Sequence, residues 1–180
     1  YKLLDQIPYL NSLNSNNQNL SELINLQIIE PLKECKLSKN IQKMGTINDK
    51  ISKKVKTQYE ENPYPRWRYG NSSLNENGSN IQVINHEIKP NLINENLNNE
   101  QLNILIAGCG TGIQILEASR YSNCQITAID LSNSSISYAK RKIDEYGISN
   151  IDFIEMDILE LKSLKKSFDL IECSGVLHHM

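Results

Sequence analysis

Three glycines at alternate positions, Gly108, Gly110 and Gly112, follow the apolar run Ile104, Leu105, Ile106 and Ala107. Lacking a Cβ, such residues turn the chain sharply and let another molecule approach the bare backbone. The helix-like stretch that follows, 113–120, aims its first N–H groups at the same place. An α/β domain builds a nucleotide or nucleoside pocket beside its first strand in this way. The dinucleotide fingerprint requires its third glycine three places after the second. Here Gly112 follows Gly110 by only two places and position 113 is Ile, which weakens a pyrophosphate reading. A second apolar stretch closes on Asp130, placed where a strand-end carboxylate accepts the two hydroxyls of a ribose. A third, 151–156, ends in Asp157, and a fourth, 168–173, ends in Ser174 and Gly175. The structural alternatives are a ligand-free strand-to-helix turn at the glycines and capping roles for Asp130 and Asp157.

The loop Ala-Gly-Cys-Gly-Thr-Gly at 107–112 is one of four such stretches. The others are Ala-Ile-Asp-Leu-Ser at 128–132, Ile-Glu-Met-Asp at 154–157 and Phe-Asp-Leu-Ile-Glu-Cys-Ser-Gly-Val-Leu-His-His at 168–179. In order and spacing, residues 103–180 resemble the class I S-adenosylmethionine-dependent methyltransferases. The resemblance implies S-adenosylmethionine as cofactor. Gly108, Cys109, Gly110 and Gly112 would approach its methionine portion, and Asp130, with Leu131 beside it, would hold the ribose. Asp157 would face the adenine amino group, Met156 and Ile158 would lie against the ring, and Cys173 and Ser174 would lie under the methionine end. Many family members carry an acid two places before the first glycine, where this chain has Ile106. That departure bears on pocket detail, not on the fold.

The elements that must position these residues follow from the same resemblance. The family's sheet has seven strands in the order 3-2-1-4-5-7-6, and this chain supplies strands one to four. The expected fold class is therefore α/β, a Rossmann-like class I methyltransferase sheet truncated after the fourth strand, with a helical N-terminal region. The chain begins at Tyr1 and reads as a fragment, leaving an edge strand open to association. Three regions are expected: a helical part at 1–68, a linker at 69–101 rich in Asn, Ser and Glu, and the cofactor half at 102–180. Ser132 is placed to cap the second helix and Gly147 to end it, with Ile136, Ala139 and Ile143 facing the sheet.

Within the first region, 2–13 and 20–37 have loosely helical spacing, and Pro31 breaks the second stretch or begins a new turn in it. Ile47, Ile51, Val55 and Tyr59 recur every four residues on one helix face, with Lys50, Lys53, Lys54 and Lys56 beside them. Those lysines form a solvated face or a patch for an acidic substrate or nucleic acid. The helix should end near Glu61, since Pro63 holds Asn62 extended. The segment 58–67 that follows is dense in aromatic residues and proline. With 30–34 it is similar to a bacterial group of methyltransferases that often carry tetratricopeptide repeats, which implies a protein partner bound by repeats outside this chain. Either Tyr59, Tyr64 and Trp67 pin the helix to the sheet, or Tyr64, Arg66 and Trp67 cover the cofactor or line the acceptor site. His178, past the fourth strand, is a further acceptor-side candidate. A short strand is expected at 81–84.

Composition narrows the function classes. With 180 residues there is room for one real core and an appended region. A net charge of −2 gives no sign of nucleic acid or an anionic membrane as partner. Cys35, Cys109, Cys124 and Cys173 have no metal-ligand spacing, so thiols in a cytoplasmic protein are expected, with no metal. The reading is transfer of a methyl group to an unidentified acceptor. A non-catalytic S-adenosylmethionine-binding module is the first alternative, and an NAD-binding Rossmann domain the second.

Overall fold

The computed structural model describes residues 7–70, 79–94 and 101–179. Its centre is β2 (Leu102–Ala107), where five of six residues are buried. Burial on both faces is what a central parallel strand requires, and it explains why Ile104 to Ala107 show no polar alternation. On one side β2 pairs with β3 (Cys124–Asp130), Ile106 opposite Ala128, and β3 pairs with β4 (Ile151–Glu155), Ile129 opposite Ile154. On the other side β2 pairs with β5 (Leu170–Glu172). All pairings are parallel.

The two faces of the sheet bury different residues, as the two-residue period of a strand dictates. Ile104, Ile106, Ile126 and Ala128 pack with α5 (Ile113–Ala118) and α6 (Asn133–Glu145). Leu105, Ala107 and Ile129 pack with Ile154, Met156 and Leu164 on the opposite face. In α6, Ile136, Ala139 and Ile143 are buried on one stripe. The Ser132 hydroxyl accepts from Ser135 N–H at its start, and Gly147 adopts a φ of 69° just past its end. This is a Rossmann-like α/β fold.

A fifth strand joins the four expected. β1 (Gln42–Lys43) lies beyond β4, giving the order β1-β4-β3-β2-β5. Both its residues are exposed, so no hydrophobic pattern marked it. At the other edge, among the described residues, nothing pairs with the free side of β5, where Ile171 is exposed.

Residues 18–38 form one irregular helical rod. It runs through α1 (Gln18–Ile24), a π-helical segment (Asn25–Ile29) and α2 (Glu30–Ser38). Pro31 stands in the first turn of α2, where its missing N–H is tolerated, and the wider π turn precedes it. The stretch 2–13 is described only from residue 7, as a 3-10 turn at Pro8–Ser12. Helix α3 (Lys50–Glu61) begins at Asp49, whose carboxylate accepts from the N–H groups of Ile51 and Ser52. Those N–H groups, Ser52 first, hold the Asp49 carboxyl below its usual range.

The expected strand at 81–84 is instead the middle of α4 (Asn80–Glu87). Ser79 and Gln82 form a reciprocal capping box at its start, a sequence signal that outranks a four-residue apolar run. The stretch 69–101 thus contains a helix, and Asn80 exchanges hydrogen bonds with Ser122. Among the described residues no helix is long and apolar enough to cross a membrane.

Candidate functional site

A cavity of about 440 Å³ opens at the C-terminal ends of β2 to β5. Parallel α/β sheets place ligands at that end. The expected residues that border it are Gly108, Gly110, Asp130, Leu131, Met156, Asp157, Ile158, Ser174 and Tyr64. Cys109, Gly112, Cys173, Arg66, Trp67 and His178 lie outside its lining.

The glycines do three different things. All have positive φ: 82° at Gly108, 49° at Gly110 and 92° at Gly112. A Cβ on Gly108 would fall 2.1 Å from Val176 Cγ2, so this glycine admits the chain that follows β5. One on Gly112 would meet Ala139 Cβ at 2.8 Å, so that glycine serves the packing of α5 on α6. Gly110 has nothing within 4 Å and faces open space.

Asp130 ties this loop to the next. One carboxylate oxygen accepts from Gly110 N–H at 2.8 Å and the other from Ser132 N–H at 2.8 Å. Burial raises its pKa, while the N–H groups of Ser132, Gly110 and Leu131 work to keep it charged. Each oxygen keeps a second lone pair for a ligand hydroxyl. Asp157, buried at the end of β4, accepts from Leu159 N–H at 3.0 Å and so caps the 3-10 turn Ile158–Leu164 while bordering the cavity. Burial, and then the charge of Asp130, pushes the Cys109 thiol well up, which leaves it a packed thiol under the loop.

The aromatic strap divides between the two readings of it. Trp67 Nε1 donates to the Thr111 carbonyl at 2.9 Å, and Thr111 Oγ1 donates to the Pro65 carbonyl at 2.6 Å. Two hydrogen bonds therefore button the strap to the glycine loop. The Trp67 ring meets the rings of Tyr138 and Tyr146 at 6.3 and 6.0 Å, and the Tyr138 hydroxyl donates to the Trp67 carbonyl. Arg66 pairs with Glu34 at 3.1 Å and lies over the Tyr138 ring. Packing accounts for Arg66 and Trp67, whereas Tyr64, 74% exposed, reaches the mouth of the cavity. His178 is exposed in the turn Leu177–His179.

Sequence reasoning missed one wall of the site. Asp49, Ile51, Ser52, Val55 and Tyr59 of α3 and its cap border the cavity opposite the strand ends. The four-residue apolar period was visible; what it faced was not. Thr111 and Val176, which lie inside two of the motif stretches but were given no role, also border the cavity, as does Gln114.

Residues 104–180 match the family model described as "Methyltransferase domain". A malonyl-[acyl-carrier protein] O-methyltransferase of Priestia megaterium is 38% identical over 82 residues, 45% of this chain and 28% of that protein. A probable (S)-tetrahydroprotoberberine N-methyltransferase 2 of Papaver bracteatum is 33% identical over 78 residues, 43% of this chain and 22% of that protein. Among solved structures, PKMT2 from Rickettsia typhi in complex with AdoHcy is 34% identical. That match covers 42% of this chain and 15% of the other, with a TM-score of 0.39. Magnesium protoporphyrin IX methyltransferase from Synechocystis with bound SAM is 21% identical. It covers 76% of this chain and 67% of the other, with a TM-score of 0.47. The chain spans less than a third of the length of the curated relatives it matches. The glycine loop, Asp130, Asp157 and Ser174, which border the cavity, all lie within the residues that match the methyltransferase-domain model.

Proposed function

We propose that the protein transfers a methyl group from S-adenosylmethionine to an acceptor yet to be identified. The observation that carries this reading is convergence. Gly108 and Gly110, Asp130 and Leu131, Met156 to Ile158, and Ser174 come from four strand ends and border one cavity. In that arrangement Asp130 accepts the ribose hydroxyls, and Met156 and Ile158 sandwich the adenine beside Asp157. The loop N–H groups and Ser174 take the methionine end, with Cys109, Gly112 and Cys173 supporting the backbone there. Tyr64 stands on the acceptor side.

The cofactor supplies an activated methyl group on a positively charged sulfur. The chain's task is therefore alignment of donor and acceptor and exclusion of water. Among the described lining residues there is no His, Lys or Arg, and the ionisable ones are Asp49, Asp130, Asp157, Tyr59 and Tyr64. We assign no catalytic base. The resemblance of 30–34 and 58–67 to the repeat-bearing group supports a protein partner bound by tetratricopeptide repeats elsewhere in the full protein. Its four free thiols, two of them buried, support a reducing compartment such as the cytoplasm.

Calorimetry with S-adenosylmethionine and NAD, beside Asp130→Ala, tests the reading. Binding of the first alone, lost in the variant, is expected. A folded chain that binds neither overturns it. Retained binding, with no transfer by the full protein to any acceptor, favours the non-catalytic module.

A further inference from the structure

Helix α3 lies outside the segment that matches the methyltransferase family, yet it forms a wall of the cavity. Its apolar stripe is unusual in what it lacks. Ile51, Val55 and Tyr59 share one face, and among the described residues that face joins neither of the two hydrophobic clusters. Ile51 remains 52% exposed, and Ser52 is the helix's one buried residue. An amphipathic helix normally docks by burying its stripe. Here the stripe faces the space assigned above to the cofactor.

Polar contacts on the flanks of that stripe hold the helix in place. Lys56 Nζ pairs with Glu155 at the end of β4, a carboxylate 5% exposed that also accepts from Asn133 Nδ2 at 2.9 Å and pairs with Lys43 at 3.0 Å. One turn on, a Glu60 oxygen accepts from Ser132 Oγ at 3.1 Å and from Ser134 N–H at 3.2 Å. Ser132 in turn donates its own N–H to Asp130. The helix is thus anchored at the ends of β3 and β4, the two strands that carry Asp130 and Asp157. Its apolar contact is left for a ligand to supply.

We propose that α3 is part of the cofactor site: Ile51, Val55 and Tyr59 bind the nucleoside, and Lys56 and Glu60 position them. The inference rests on the cofactor reading above. The bound nucleoside is the packing partner of the stripe, so binding and docking of α3 are one coupled equilibrium. A ligand that binds only the docked form stabilises that form in proportion to its concentration over Kd. Local opening of a helix held by few apolar contacts is what amide exchange detects.

The test is hydrogen exchange on this chain with and without S-adenosylhomocysteine, beside calorimetry with the same ligand. At free ligand about 100 times Kd, the amides of 51–61 are expected to exchange up to about a hundredfold more slowly. The amides of β2 and β3 should change far less. Ile51→Ala and Tyr59→Ala should weaken binding while leaving the exchange of β2 and β3 as it was. Glu60→Ala should speed exchange of α3 in the free protein and weaken binding. Glu60→Gln, which keeps an acceptor oxygen, should restore most of both. Calorimetric binding with unchanged exchange in 51–61, or with Ile51→Ala and Tyr59→Ala as tight as the parent, overturns the role of α3 and leaves the cofactor reading standing. Absence of calorimetric binding in the folded chain overturns both.

Discussion

Residues 102–155 and residues 30–68 are held in the molecule by different forces. The strands bury Ile104, Ile106, Ile126 and Ile129 almost completely. The N-terminal rod and strap attach through charge and rings. Glu34, 7% exposed, accepts from Arg141 at 2.9 Å and from Arg66 at 3.1 Å. Arg141, 3% exposed, also pairs with Glu30 and Glu145, and Trp67 inserts its ring beside Tyr138 and Tyr146. Apolar burial is non-directional and leaves a periodic trace in the sequence. A buried ion-pair network is directional, joins residues far apart in the chain, and leaves no such trace.

The largest expected effect lies on the sheet side of that contrast. Ile126→Ala empties a fully buried site between β3 and the helices, and should cost about 2–5 kcal/mol in denaturant unfolding. A cost under about 1 kcal/mol would show that apolar burial does not dominate there. The second effect lies in the network. Glu34→Ala removes an acceptor from the buried Arg141, and breaking a buried pair typically costs about 3–5 kcal/mol. Glu30 and Glu145 still face Arg141, so about 2 kcal/mol is expected. The two regions part further in how that cost appears. Glu34→Ala should expose Trp67, read by its fluorescence, before the sheet unfolds.

The same contrast decides what was legible in the sequence. The strand ends near Ala107, Asp130 and Met156 could be placed because apolar runs stop at glycine or a carboxylate, and β4 closes one residue earlier, at Glu155. The helix cap at Ser132 and the stop at Gly147 followed from local chemistry alone. β1 could not be seen, since two exposed residues carry no pattern. Helix α4 was legible through Ser79 and Gln82 but was overshadowed by the run 81–84. Of the expected site residues, Gly108, Asp130, Met156, Asp157 and Ser174 border the cavity, because position at the end of a parallel strand implies position at the cavity. Those of α3 were not expected there, because a period of four names a face and not its partner. Arg66 and Trp67 were grouped with Tyr64 by proximity in sequence, but the strap sends Tyr64 to the cavity and the other two to Glu34 and to Thr111.

A third, smaller effect sharpens the role of the loop. Gly110 has room for a side chain, so Gly110→Ala should cost only the strain of a positive φ, about 1 kcal/mol. If cofactor affinity falls by far more than that strain, the open space beside Gly110 is where the ligand sits.

The smallest effect is a pH dependence, and its sign differs between the anchor of α3 and the carboxylate that ties the glycine loop. At Glu155 burial works to raise the pKa, but hydrogen bonds from Lys56, Asn133 and Lys43 outweigh it and hold the carboxyl below its usual range. The folded state therefore binds this proton less readily than the unfolded state does. Its stabilisation is present above the unfolded value, about pH 4.3, and is lost as pH falls through the lower folded value. Asp130 has the opposite sign. Burial raises its pKa in the fold, so its contribution is largest in acid and fades as pH climbs past the usual aspartate range. Lys43 is 68% exposed and Lys56 28%, so solvent screens the Glu155 pairs and the effect is modest. Glu155→Gln should lower stability at neutral pH and flatten the acid limb of a plot of Tm against pH. An acid limb that keeps its slope in the variant would move the origin of acid lability away from the anchor of α3 and toward Glu145, where burial works to raise the pKa but hydrogen bonds from Lys142 and Arg141 hold the carboxyl below its usual range.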